Sequence, residues 1–165
     1  MTSQTYLVAL GSNQRHPRFG APRKVLQAAI DHMQPDLGAV LARSPIITSA
    51  PIGPSHRQYA NAAIILASNQ GPMEMLDALQ NIEHIFGRQR LGQRWRSRTL
   101  DLDIVLWSGG IVGEPRLSIP HPLFRQRDFV LGPASAIAPD WRDPVSGLRI
   151  KHLYARLTRP RPIPR

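Results

Sequence analysis

The residues of this chain best equipped for chemistry lie in one stretch, Thr99-Leu-Asp-Leu-Asp-Ile-Val-Leu106. Side chains on a β-strand alternate between faces. Leu100, Leu102, Ile104 and Leu106 are therefore expected on one face, and Asp101 and Asp103 on the other. Residues two apart on a strand stand about 6.6–6.8 Å apart along the chain. Two carboxylates that close repel each other unless a cation or basic group lies between them. Mg²⁺ takes oxygen ligands and commonly uses one or two carboxylates together with substrate phosphates. The same pattern also suits a solvent-facing polar stripe on an amphipathic strand. The preceding loop weighs on the choice, because Arg88, Arg90, Arg94, Arg96 and Arg98 fall within eleven residues with no acidic residue among them. A basic run is ordinarily a solvated one. Here it leads straight into the carboxylate pair, which favours a bound polyphosphate: carboxylates hold metal, and guanidinium groups take the remaining oxygens.

Other phosphate and catalytic patterns are missing. No G-x-x-x-x-G-K-[ST] run occurs, no G-x-G-x-x-G follows a strand, and there is no H-E-x-x-H. Cysteine is absent, which removes disulfides, thiolate nucleophiles and cysteine-held metals. Of the six histidines, His121 stands out because Pro120 and Pro122 flank it. Two prolines hold it in an extended segment, which suits a positioned donor and equally a structural histidine.

These residues must be carried by a scaffold, and the hydrophobic pattern supplies one. Residues 6–10 form an apolar run that ends in Gly11-Ser12-Asn13, a buried strand entering a turn. Pro22 opens a helix to Met33, with Val25, Leu26, Ala29, Ile30 and Met33 at helical spacing. Residues 39–48 read as a second strand interrupted by Pro45, and 59–68 as a third, paired antiparallel with it. Gly71-Pro72 starts a second helix whose stripe is Met75, Leu79, Ile82 and Phe86, closed by Gly87. Gln80 and Glu83 share another face of it. Residues 99–107 are the clearest strand, 109–110 a turn, 119–122 an extended proline-bounded segment, 124–138 short helical turns and 148–157 a last amphipathic helix. The order β-α-β-β-α-β predicts an α+β, ferredoxin-like sandwich: a mostly antiparallel sheet with helices on its faces and a C-terminal extension. A single domain over 1–158 and a mobile proline–arginine tail over 159–165 are expected.

Composition bounds the rest. The chain has 165 residues, enough for one domain, and 42% of them are hydrophobic, enough for one core. The longest apolar run, Ala62–Ala67, is six residues, far short of the ~20 that span a bilayer. No charged segment followed by an apolar stretch opens the chain, so a cytoplasmic protein is expected. The net charge is +10, and Lys24 and Lys151 are the only lysines among 21 basic residues. That footprint also fits a nucleic-acid-binding module. Such a module on this topology needs aromatic residues on its central strands. Tyr6 and Trp107 are the aromatics available, and Asp101 and Asp103 would repel a phosphate backbone.

The ordered motifs resemble those of the 6-hydroxymethyl-7,8-dihydropterin pyrophosphokinase family. Its signature, roughly Arg-Trp-Gly-Pro-Arg-Thr-Leu-Asp-Leu-Asp-Ile, appears as Arg94-Trp95-Arg96-Ser97-Arg98-Thr99-Leu100-Asp101-Leu102-Asp103-Ile104. Ala9-Leu10-Gly11-Ser12-Asn13, Ala50-Pro51-Ile52-Gly53-Pro54, Tyr59-Ala60-Asn61-Ala62-Ala63, Gln80-Asn81-Ile82-Glu83, Gly87-Arg88-Gln89-Arg90, Pro120-His121-Pro122 and Arg127-Asp128-Phe129-Val130-Leu131 fall in the family order. The resemblance implies a monomeric enzyme that moves the terminal pyrophosphate of ATP to the hydroxymethyl group of the pterin and releases AMP, with no nucleic-acid or membrane partner. It implies two Mg²⁺ ions on Asp101 and Asp103, with Arg88 and Arg98 as catalytic partners. ATP would lie among Gln80, Glu83, Arg90, Arg94, Trp95, Arg98, Ile104, His121 and Arg127. The pterin would lie between Tyr59 and Phe129, with Asn61 on its edge and backbone groups of Ser49, Ala50 and Ile52 beside it. Without the resemblance, Tyr59 and Phe129 read as core residues. Arg96-Ser97 replaces the family Gly-Pro, Leu91 follows Arg90 where some relatives are basic, and Pro122 replaces a side chain beside the nucleotide.

Overall fold

A computed structural model describes residues 3–49, 59–87, 99–160 and 163. Its strands are β1 (Gln4–Ser12), β2 (Ala39–Arg43), β3 (Ile47–Ser49), β4 (Tyr59–Ser68), β5 (Asp101–Trp107), β6 (Val112–Glu114) and β7 (Leu117–Ile119). Its helices are α1 (Pro22–Met33), α2 (Pro72–Ile85), α3 (Asp128–Ile137) and α4 (Ile150–Thr158), with a single 3-10 turn at Phe124–Gln126. The main sheet runs β2-β4-β1-β5, with β3 also on β4, and every pairing is antiparallel.

The central strand β1 is covered on both faces, and its alternation divides the core. Tyr6, Val8 and Leu10 point to one side, where α1 and α2 deliver Leu26, Ile30, Met75, Leu79, Ile82 and Phe86. Leu7 and Ala9 point to the other, where Leu131 and Ala134 of α3 and Ile150 of α4 close a second cluster around Phe124. Both helices on the first face start as their sequence suggests, with proline in the first turn after an extended residue. Gly87 ends α2 with φ at +91°, a conformation that only glycine takes freely.

Several sequence expectations are revised. Residues 39–48 form two strands rather than one. Pro45 has no N–H for the ladder, and Ser44 repairs the gap: its N–H donates to Ala63 O at 2.9 Å, and its hydroxyl accepts from Ala63 N–H at 2.8 Å. The alternation predicted for 100–106 fails at its end. A β-bulge shifts the register so that Val8 faces Ile104 and Leu7 faces Leu106. The extra residue, Val105, turns Leu106 to the second cluster while Leu102 and Ile104 stay in the first. Residues 124–138 resolve into the 3-10 turn and α3, which contains Pro133. The β6–β7 hairpin was not read from the sequence, because three-residue strands are too short to show a period. Among the described residues, no helix is long and apolar enough to cross a membrane.

Candidate active site

The carboxylate pair sits where the strand pattern places it. On β5, Asp101 faces Gly11 and Asp103 faces Ala9; across β1, Gly11 faces Asn61 and Ala9 faces Ala63. Facing residues in a ladder point to the same side. Asp101, Asp103 and Asn61 therefore share one sheet face, floored by the two smallest side chains of β1. A methyl group at Gly11 would lie 3.4 Å from Asn61 Oδ1 and 4.0 Å from Tyr59 Cδ1. Tyr59 opens β4 two residues before Asn61 on the same face, opposite Ser49 of β3. Phe129, at the start of α3, packs against the cluster on that face, and the Arg127 guanidinium lies 5.7 Å from its ring centre.

β5 is an edge strand, and two other segments occupy its outer edge. Leu102 N–H donates to Glu83 Oε2 of α2 at 3.0 Å, and His121 N–H donates to Val105 O at 3.0 Å. A cavity of about 320 Å³ opens beside that edge, lined by Gln80, Glu83, Asp103, Ile104, His121 and their neighbours. One expectation needs correction here. Glu83 was placed off the core stripe, yet it is only 3% exposed. Its bond to the Leu102 amide, lying between the two aspartates, helps a charged side chain sit on the buried face.

His121 is fixed in tautomer as well as in place. Its Nδ1 accepts the Leu123 N–H at 3.1 Å, so the neutral ring carries its proton on Nε2, 3.9 Å from Asp103 Oδ2. Burial holds its pKa below the usual 6.5; the Asp103 charge opposes that and the Arg127 charge adds to it. A histidine with a lowered pKa is protonated more readily in the unfolded chain, so it subtracts stability as pH falls from about 6.5 through the folded value. The His121 imidazole is expected to titrate below 6.5 in proton–carbon NMR, and lower still in Asp103→Asn, which removes the opposing charge. An upward shift in that variant contradicts the electrostatics.

The structure thus gathers Gln80, Glu83, Asp103, Ile104 and His121 at one cavity, and sets Asp101, Asn61, Tyr59 and Phe129 on the adjoining sheet face. Arg88, Arg90, Arg94, Trp95, Arg98, Ala50 and Ile52 lie outside the described residues, as do the side chain of Ser49 and most of the proline–arginine tail. Two polar lining residues, Arg116 and Ser118, carry no signal in the sequence pattern. Arg116 donates to Asp77 Oδ1 at 2.7 Å and to Gln80 Oε1 at 3.3 Å. Its turn joins the unread hairpin strands, so the only signal was one arginine in an irregular stretch.

The donor set suits a hard cation. Asp101 and Asp103 offer oxygen ligands on one strand face, and the Asp103 side chain is 47% exposed. Among the described residues no three acidic or histidine side chains converge into a metal site.

Fold and site together define a ferredoxin-like α+β protein with a cavity at the sheet edge lined by Glu83, Asp103, Arg116 and His121. The family model for 7,8-dihydro-6-hydroxymethylpterin-pyrophosphokinase (HPPK) matches residues 7–139, and the chain belongs to that family. Similar curated proteins carry the name 2-amino-4-hydroxy-6-hydroxymethyldihydropteridine pyrophosphokinase. That of Pseudomonas aeruginosa is 42% identical over 155 residues, covering 92% of this chain and 91% of its own. That of Synechocystis is 39% identical over 92% of this chain and 75% of its own. A Plasmodium falciparum HPPK-DHPS crystallised with pteroate superposes with a TM-score of 0.72 at 13% identity, covering 94% of this chain and 42% of that one. An HPPK-DHPS solved in complex with substrates gives 0.75 at 12% identity, over 94% and 45%. These longer chains share the fold, and this chain spans less than half their length.

Proposed function

We propose that this chain transfers a pyrophosphoryl group from ATP to the hydroxymethyl group of 6-hydroxymethyl-7,8-dihydropterin and releases AMP, a step of folate biosynthesis. The observation that carries this reading is the pair Asp101 and Asp103 on the edge strand, beside the cavity that also holds Gln80, Glu83 and His121, in a chain of this family. The pterin hydroxyl oxygen bonds to the β-phosphorus, the bond from that phosphorus to the α–β bridging oxygen breaks, AMP leaves with the electron pair, and the hydroxyl proton passes to solvent. Mg²⁺ held by Asp101 and Asp103 would neutralise the triphosphate charge that the developing transition state concentrates. His121 contributes an Nε2–H donor on the cavity wall. Arg116 adds a guanidinium at the same wall, and the sequence supplies Arg88, Arg90, Arg94 and Arg98 as further cations for the phosphates. Asn61 offers its amide to the pterin edge, and Tyr59 and Phe129 offer aromatic faces. Catalysis of this kind is positioning and charge stabilisation rather than covalent chemistry by the protein.

The decisive assay supplies ATP, Mg²⁺ and the reduced hydroxymethylpterin and follows AMP. AMP formed in step with pterin pyrophosphate supports the proposal. ADP as the nucleotide product, or no turnover, refutes it.

The pterin site has its own test. Tyr59→Ala and Phe129→Ala are expected to weaken pterin binding by about 1–3 kcal/mol each, the worth of stacking one ring on an aromatic face, and to leave nucleotide binding nearly unchanged. Equal losses for both ligands in calorimetry would mean that these rings serve the core.

A further inference from the structure

The family match ends at residue 139, and just beyond it the structure buries a carboxylate completely. Asp143 is 0% exposed, and its two oxygens accept four hydrogen bonds. Oδ2 takes Arg125 Nε at 2.6 Å and Ser146 Oγ at 2.7 Å; Oδ1 takes Arg125 Nη2 at 2.8 Å and Val145 N–H at 3.0 Å. The turn that carries Asp143 is closed by its own backbone: Asp143 N–H donates to Leu148 O, and Gly147 N–H to Asp143 O, both at 2.8 Å. Ile150 N–H then ties α4 to Trp141 O at 2.9 Å. Asp143 is therefore held from behind and presents a fixed pair of oxygens to one partner.

That partner lies in the segment that carries the site. Arg125 comes four residues after His121, two before Arg127 and four before Phe129. Between Pro122 and α3 the only regular element is the 3-10 turn, whose closing bonds are long: 3.1 Å from Gln126 N–H to Leu123 O and 3.3 Å from Arg127 N–H to Phe124 O. The fully buried Phe124 ring anchors this segment in depth, and the Arg125 guanidinium lies 4.7 Å above that ring. An aromatic plug leaves rotation open, whereas a two-pronged guanidinium–carboxylate contact fixes direction. Stability alone gives a weak reason for the pair, because desolvation offsets most of the attraction between buried charges and apolar replacements are often tolerated. The Arg125 hydrogen bonds help hold the Asp143 carboxyl at a pKa of about 2, so the pair stays ionised throughout the physiological range.

We infer that Arg125 and Asp143 are positioning residues, which set the angle at which the 121–129 segment presents His121, Arg127 and Phe129 to the substrates. The turn at 141–149, outside the matched family region, is on this account part of the active site's support. The assignment of those three side chains to substrates rests on the function proposed above.

The test pairs an apolar replacement with a conservative one. The double variant Arg125→Met, Asp143→Leu removes the fork but keeps the volume. Because Asp143→Leu also takes the acceptor from Val145 N–H and Ser146 Oγ, the double variant is expected to melt below the parent and to raise the dissociation constants for both pterin and an ATP analogue about tenfold or more, since displacement of about 1 Å in a site is enough for that. Arg125→Lys keeps the charge without the fork and is expected to fold normally and to weaken both ligands at least about threefold. Binding within twofold of the parent in a folded Arg125→Lys protein overturns the inference, even if the double variant fails to fold. The reading of function is checked separately, by AMP release from the parent. If the parent is inactive, the ligand-free spectrum decides: Arg125→Lys should shift the His121 and Phe129 resonances and leave Gln80 and Asn61 in place. Unshifted His121 and Phe129 signals overturn the positioning role whatever the reaction.

Discussion

Asp101→Ala and Asp103→Ala are each expected to lower kcat/KM by about a thousandfold or more, equivalent to about 4 kcal/mol of lost transition-state stabilisation. The carboxylates are hard oxygen donors on one face of an edge strand, with the small Gly11 and Ala9 facing them across the ladder. A divalent ion that draws only one or two ligands from the protein loses most of its anchorage when one is removed. Folding should not suffer. The Asp103 side chain is half exposed, and truncating it relieves repulsion between two like charges on neighbouring same-face positions. The melting temperature of Asp103→Ala is therefore expected to hold or rise while activity collapses, a combination that a structural role would not produce. Asp103→Asn separates charge from shape: it keeps an oxygen at the same place, and higher Mg²⁺ should restore part of its activity. Steady-state kinetics across a Mg²⁺ series decide the matter. Near-normal turnover in either alanine variant removes the metal assignment.

How much of this was legible beforehand depends on the range of the forces involved. The helix stripes of α1 and α2 and the shared face of Asp101 and Asp103 follow from local periodicity, and the structure keeps them. The face of Leu106 was misread because a bulge opposite Leu7 and Val8 is a property of two strands, and neither sequence alone carries it. Ser44 standing in for a ladder partner, the hairpin that brings Arg116 to the cavity, and Arg125 reaching Asp143 are likewise contacts between distant segments. Asn61 and Phe129 needed the family resemblance, since a buried asparagine and a half-buried ring have no periodic signature of their own. The shared face of Gln80 and Glu83 follows from helical spacing, but the burial of Glu83 does not. A charge on a helix is usually solvent-facing, and a backbone donor on another element, Leu102 N–H, helps make the burial of this one tolerable.

That donor leads to the second large effect. Leu102 N–H lies between the two aspartates on the outer edge of the sheet, and Glu83 Oε2 receives it at 3.0 Å from α2. Glu83→Ala leaves that amide without an acceptor in a place where Glu83 itself was only 3% exposed. An unsatisfied buried group costs about 1–3 kcal/mol, and the lost side chain leaves a void beside the strand. The variant is expected to lose about 2–3 kcal/mol of stability. Its kcat/KM should fall about a hundredfold or more, because Asp101 and Asp103 would ride on a strand edge no longer tied to α2. Glu83→Gln distinguishes the hydrogen bond from the charge. Its amide oxygen still accepts from Leu102, so stability should stay within about 1 kcal/mol of the parent. If positioning is the main contribution, activity should fall less than about tenfold. Hydrogen exchange gives the direct readout: the Leu102 amide should be protected in the parent and in Glu83→Gln, and exchange freely in Glu83→Ala. A stable Glu83→Ala protein with a protected Leu102 amide would show that the edge strand is held without α2. A Glu83→Gln protein as inactive as Glu83→Ala, yet fully stable, would assign the carboxylate charge to the bound substrates rather than to the strand.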